Sequence, residues 1–126
     1  MITPSFPSWF PPDCPPETAS NASGPVYRIV AGTTLSDSDF LTHHEMGTAL
    51  SAPPCLRCGL SVYNSFENAL HRLRLSPRLG KAIAKGLLES ASGKTEITSP
   101  RSGHITWWAS YELPRSSWFG DPTLCT

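Results

Sequence analysis

Four groups of side chains in this chain have the types and spacing to do chemistry. Cys55-Leu56-Arg57-Cys58 is a C-x-x-C pair followed by Gly59. Two thiolates so placed can grip one tetrahedral zinc, and the glycine frees backbone N–H groups to approach the sulfurs. No second pair completes the site, so the other ligands would be His43 or His44, a short loop upstream; His104, Cys14 and Cys125 are also available. The simpler expectation is no metal, with Cys55 and Cys58 free, oxidised or in a disulfide. A redox role fits poorly, because the pair precedes a predicted strand rather than opening a helix that would depress a thiol pKa.

The second group is His43-His44-Glu45. Adjacent helical positions point about 100° apart, so the two imidazoles do not converge on one ion. The spacing also lacks the H-E-x-x-H interval that aligns two ligands on one face. One solvated and one packed histidine is the expectation. Gly103-His104-Ile105-Thr106-Trp107-Trp108 is the third. As a strand it sets His104, Thr106 and Trp108 on one side, Ile105 and Trp107 on the other, so both sides must be covered. Packing is the ordinary use of such indoles. The competing use is a ligand-binding platform on which a planar molecule stacks, with His104, Thr106, Trp107 and Trp108 as its contacts.

The fourth group is distributed: Arg28 on an early strand, Ser61 and Tyr63 on a later one, and Glu112 near the end of the sheet. Arginine can hold a diphosphate or ribose through two parallel N–H donors, and serine can fix a ribose hydroxyl. A carboxylate can stabilise an oxocarbenium-like transition state. Together these are the parts needed to cleave a nicotinamide N-glycosidic bond.

The elements that must position these groups are legible in part. Val26–Val30 is a short β-run with Arg28 at its middle. Ser36-Asp37-Ser38-Asp39 has acids in a first helical turn, predicting a short helix that carries Phe40, Leu41 and His44 on one face and ends at Gly47. Residues 48–57 read as a loop broken by Pro53-Pro54. Leu60, Val62 and Tyr63 favour a strand, and Ser65 is placed to cap a helix. Phe66, Ala69, Leu70 and Leu73 recur at i, i+3, i+4 and i+7, with His71, Arg72 and Arg74 on the far side. Ser76-Pro77 ends this helix, Pro77 opening one further turn. Ile83, Lys85 and Leu87 alternate with Ala82, Ala84 and Gly86, a strand whose small-residue side can lie beneath something bulky. Thr95–Thr98 and His104–Ala109 read as two more strands, and Trp118 and Phe119 as packing anchors in the tail. The sum is an α+β domain: a small curved antiparallel or mixed sheet covered by one main and one short helix.

Proline separates an arm from this domain. Seven of the thirteen prolines lie in residues 1–24 and the Pro25 that follows, together with Phe6, Trp9 and Phe10. We divide the chain into an extended Pro/aromatic arm, residues 1–24, and a single domain, residues 25–126. The arm is either a flexible leader or a strap laid over a groove of its own domain or of a partner.

Ten basic and ten acidic side chains balance, which argues against nucleic-acid binding through phosphate neutralisation. No run of eighteen apolar residues is present, so no membrane helix is expected. The first residues have no basic and unbroken apolar signal, and a cytoplasmic location is expected.

The order VYRIV, a strand ending in Tyr63, a helix beginning SFENAL and a return strand resembles the compact ADP-ribosyltransferase-like folds, including the NAD-degrading RES-type toxins. The resemblance spans roughly residues 25–112 and is one of pattern. It implies NAD as the ligand, Arg28 as the first-strand arginine, Ser61 or Tyr63 as the second-strand position, and Glu112 as the acid. The sequence departs from the family at the acid, since Ser110 stands where an acid or glutamine precedes the catalytic glutamate. Two functions follow: an NAD-binding or NAD-cleaving domain, or a non-catalytic interaction module. The module would be an accessory or inhibitor protein, as found on mobile elements, docking on a partner protein through its arm and Trp-rich strand.

Overall fold

The computed structural model describes residues 5–111 and 113–125. Seven strands form one open, antiparallel sheet. In chain order they are β1 (Ser20–Asn21), β2 (Gly24–Val30), β3 (Leu60–Tyr63), β4 (Ala82–Leu88), β5 (Gly93–Ser99), β6 (His104–Ala109) and β7 (Thr123–Leu124). Their order across the sheet is β1-β5-β6-β3-β2-β4-β7. Three helices accompany them: α1 (His43–Met46), α2 (Pro54–Arg57) and α3 (Phe66–Leu75). The class is α+β, as the alternating and 3.6-residue patterns predict.

One sheet face buries Val26, Leu60, Val62, Leu88 and Trp107 together with Phe40. Phe119 closes this side, its ring 4.9 Å from that of Phe40 and 5.7 Å from that of Trp107. The small-residue side of β4 explains how Phe119 fits. A Cβ on Gly86 would stand 2.6 Å from its ring, so only glycine leaves the space. The other face is shared. Over β2 and β4, α3 buries Ala69 and Leu73 on Tyr63 and Ile83, with Phe66 and Leu70 half-buried at the margin. Over β6 the proline-rich arm packs Phe6, Trp9 and Phe10 around Trp108 and Cys58.

The helix expected from Ser36 is broken in two. Asp39 accepts from the backbone N–H groups of Ser36 and Ala31, which closes a single 3-10 turn at Asp37–Phe40. Leu41 is then extended, and Thr42 starts α1 with its own reciprocal capping pair to Glu45. Two capping signals in close succession make two short turns rather than one helix. Gly47 ends α1 in the left-handed conformation, with φ of 68°. The loop at residues 48–57 also contains a helical turn, α2, opened by Pro54, whose missing N–H costs nothing at that position.

Cys14 is disulfide-bonded to Cys55, with the two Cα atoms 5.5 Å apart. Of the C-x-x-C pair, Cys55 is therefore not a free thiol whereas Cys58 is, and in this disulfide the Cys55 sulfur is not available as a zinc ligand. The Cys55 sulfur is already bonded, while Cys58 is a buried thiol whose pKa is raised by desolvation. The partner of Cys55 comes from 41 residues away, a distance that local spacing does not reveal.

Leu73→Ala should destabilise the domain by about 2–4 kcal/mol in denaturant unfolding, the cost of a partly relaxed core cavity. Cys14→Ser should lower stability by about 4 kcal/mol, the chain-entropy value for a loop of this length. That difference should vanish when both proteins are unfolded in reductant.

Candidate functional site

A cleft of about 850 Å³ opens over the middle of the sheet, between α3 and the segment that carries α1. Arg28, Ser61, Tyr63 and His104 all line it. Register explains the meeting of the last three, because Ser61 pairs with Thr106 and Tyr63 with His104, which puts their side chains on one face.

Arg28 arrives differently. Alternation starts it on the opposite face, with Val26 and Val30, and its guanidinium lies 5.5 Å from the centre of the Phe40 ring. The ladder between β2 and β3 has a single pair, Tyr27 with Tyr63. Beyond that pair the guanidinium occupies the gap, donating from Nη1 to the Ser61 carbonyl at 2.7 Å and from Nε to the Asp39 carbonyl at 2.8 Å. Desolvation lowers its pKa to about 10, with Asp39 opposing that shift, so it stays cationic at neutral pH. No carboxylate of the described residues is in direct contact with it: the only salt bridge among them joins Arg115 to Glu45 at 2.6 Å.

α3 adds a second stripe. Asn68, His71, Arg72 and Leu75 recur at i, i+3, i+4 and i+7 and line the cleft, beside the stripe that faces the sheet. Arg101, from the turn between β5 and β6, lines the opposite rim. Among the described lining residues there are three arginines and no carboxylate. His71 and Arg72, which the sequence places on the far side of α3 from its apolar stripe, are exposed and carry this signal. Nothing in the spacing pointed to Arg101.

His104 is the hub of a chain of hydroxyls. Its Nε2 lies 2.9 Å from Ser61 Oγ, and its Nδ1 lies 2.6 Å from Thr98 Oγ1. Thr98 Oγ1 in turn is 3.0 Å from Thr106 Oγ1. Thr98 falls at a register shift in β5, between Ile97 opposite Ile105 and Ser99 opposite His104. A bulge of this kind re-aims a side chain, here onto the cleft face. Burial, with help from Arg72, pushes the imidazole pKa down and favours its neutral form. Tyr63 stands edge-on to it at 5.4 Å, its own hydroxyl pKa raised by burial.

Of the other described candidates, only His43 lines the cleft. Trp107 and Trp108 are both fully buried and do not line the cleft. Their indole N–H groups donate to the carbonyls of Ser92 and Cys55, so the structure gives them packing roles rather than an open stacking face. Thr106 is buried beneath the cleft floor. Gly59 lies next to it, where a methyl group would overlap the Thr106 side chain. His43 borders the cleft and bonds Thr48, whereas His44 stacks on Trp9 at 4.7 Å. The two imidazoles therefore diverge, and with Cys55 bonded to Cys14 they do not assemble a metal site with Cys58. Glu112 lies outside the described residues.

Comparison with protein-family models, curated proteins and solved structures finds no match to this chain.

The His104 shift has a definite sign. As pH falls through about 6.5, the unfolded chain takes up a proton on this imidazole before the folded protein does. Stability should be full above that pH and decline towards the lower folded pKa. His104→Asn should flatten this part of the profile in denaturant titrations from pH 8 to 5. The loss from Glu45 should remain at lower pH. Burial works to raise that carboxyl, but hydrogen bonds from Arg115 and Thr42 hold it below its usual value.

Proposed function

We propose that this chain is a small ADP-ribosyltransferase-like domain that binds NAD in the cleft over β3 and β6. The observation that carries the reading is the convergence of Arg28, Ser61, Tyr63 and His104 in one cleft with two further guanidinium groups, Arg72 and Arg101, and, among the described lining residues, no carboxylate. Such a lining favours a diphosphate, which is doubly anionic and presents paired acceptor oxygens to arginine. Arg28 is held by two carbonyls and, among the described residues, by no carboxylate, so none of these cancels its charge by direct contact before a ligand arrives. Ile29, Leu41 and Leu79 supply apolar wall for a base. Ser61 is exposed at the floor, where it can meet a ribose hydroxyl.

Binding and turnover are separate in this reading. Cleavage of the glycosidic bond calls for a group that stabilises positive charge on the ribose, and Glu112 is the residue the family resemblance assigns to it. Without it the domain is a binder.

The non-catalytic reading draws on another surface. Met46, Leu50 and Leu56 are exposed apolar side chains around α1 and α2, and they offer a partner protein contact area. The arm and the Trp-rich strand are poorer docking elements, because both are packed into the domain itself.

Isothermal titration with NAD tests the proposal. The wild-type chain should bind, and Arg28→Lys, which keeps the charge but loses the fork, should weaken binding at least tenfold. Arg72→Ala and Arg101→Ala should each weaken it several-fold, with a salt dependence shallower than wild type. Absence of heat with wild-type protein, supported by unchanged thermal melting in NAD, leaves the docking reading alone. NAD hydrolysis by wild type that is lost in Glu112→Gln would assign turnover.

A further inference from the structure

We propose that Ser61 is a nucleophilic serine, activated by His104 for attack at the phosphorus of a phosphate ester bound in the cleft. The inference rests on the reading of this cleft as a phosphate site, and it adds a reaction that the family resemblance does not supply. Its basis is the geometry of the chain from Ser61 Oγ to His104 Nε2 at 2.9 Å, then from Nδ1 to Thr98 Oγ1 at 2.6 Å. A nucleophile within hydrogen-bond reach of a base, itself oriented by a third group, is the arrangement that activates a serine hydroxyl. With the proton on Nδ1 donated to Thr98, and Thr98 donating to Thr106, Nε2 is left to accept from Ser61. The bulge at Thr98 is what makes the third contact, and Thr106 anchors it from beneath.

The surroundings suit the same step. Ser61 is exposed to the cleft, whereas the imidazole is half-buried. Tyr63 from β3, His71 and Arg72 from α3, His43 from α1, Arg28 from β2 and Arg101 from the β5–β6 turn are the titratable or charged groups lining the same cleft. Burial, and after it the Arg72 charge, disfavour the imidazolium and so favour the unprotonated base. The same arginines can stabilise the equatorial oxygens of a phosphoryl group in transfer.

The step balances with solvent protons. The Ser61 Oγ–P bond forms as the bond from phosphorus to the leaving oxygen breaks. The hydroxyl proton moves to His104 Nε2, and the leaving oxygen, in line on the far side of phosphorus, takes its proton from solvent. Water then attacks phosphorus from that far side and gives a proton to solvent, while His104 Nε2 returns its proton to the departing Ser61 Oγ and phosphate is released.

A biotinylated fluorophosphonate tests this on the full chain. Attack expels fluoride and leaves a stable adduct that peptide mass spectrometry locates. One adduct on Ser61 is expected, absent in Ser61→Ala, formed at least ~100-fold more slowly in His104→Asn and several-fold more slowly in Thr98→Val. The wild-type labelling rate should rise with pH through a single group titrating below the ordinary histidine value, a measurement that stands even if a variant fails to fold. No adduct on Ser61, or a Ser61 adduct whose rate ignores pH and His104→Asn, overturns the proposal. Titration with NAD separates the two readings. NAD binding without labelling overturns the relay and leaves the cleft as a nucleotide site; labelling without NAD binding supports the relay and removes the nucleotide.

Discussion

The placement of the Arg28 guanidinium is the constraint on which the rest of the structure turns. A seven-stranded antiparallel sheet would ordinarily run a continuous ladder through its middle, but β2 and β3 share one pair and then part. The cation fills the parting. It hydrogen-bonds a carbonyl from β3 and another from the 3-10 turn at Asp39, so it ties the sheet to the segment that leads into α1. A desolvated charge is costly unless its donors are met, which makes the Asp39 turn and the Phe40 ring part of the same arrangement. Moving any of them would leave the guanidinium short of partners. The cleft exists because this joint holds the two sides of the sheet centre in register while the strands diverge.

The two faces of α3 show how a single short helix serves both core and site. Ala69 and Leu73 face the sheet, and the adjacent stripe of Asn68, His71 and Arg72 faces the cleft. Ser65 caps the helix by accepting from the Asn68 N–H, and the Asn68 side chain donates to Asn64, so the cap and the cleft wall share a residue. The helix is therefore anchored by apolar burial on one side and leaves its cations free for the other. Arg115 has a different task. It bridges the Phe40 carbonyl and the Glu45 carboxylate, fixing α1 against the tail.

Elements whose information is local were legible in the sequence. The period of α3, its serine cap, the proline that ends it and the small-residue side of β4 all express contacts within a few residues or a repeating pattern. Even so, the reading of Ser36–Gly47 as one helix failed, because Asp39 uses its carboxylate to close a turn and Thr42 restarts the chain. The features of the site that escaped notice are non-local. The Cys14–Cys55 bond joins an arm to a loop across the first strand, and the Thr98 bulge exists only relative to the register of β6. The indoles of Trp107 and Trp108 illustrate the same point. Alternation correctly placed them on opposite faces, but only the packing of Phe119 on one side and the arm on the other decided that neither stays open.

Pinning the arm at Cys14 has a consequence for any molecule that would compete with it. Phe6, Trp9 and Phe10 lie only a short way along the chain from the crosslink, so their return to the surface around Trp108 is an intramolecular event. A short tether of this kind gives an effective concentration in the millimolar range. A foreign aromatic segment offered to that surface at micromolar levels would have to bind it roughly a thousandfold better to displace the arm. While the bond is intact the surface is closed in practice although no barrier guards it. Reducing the bond lengthens the tether, because the arm stays joined to the sheet through β1, and so lowers that effective concentration while the contest remains intramolecular on one side.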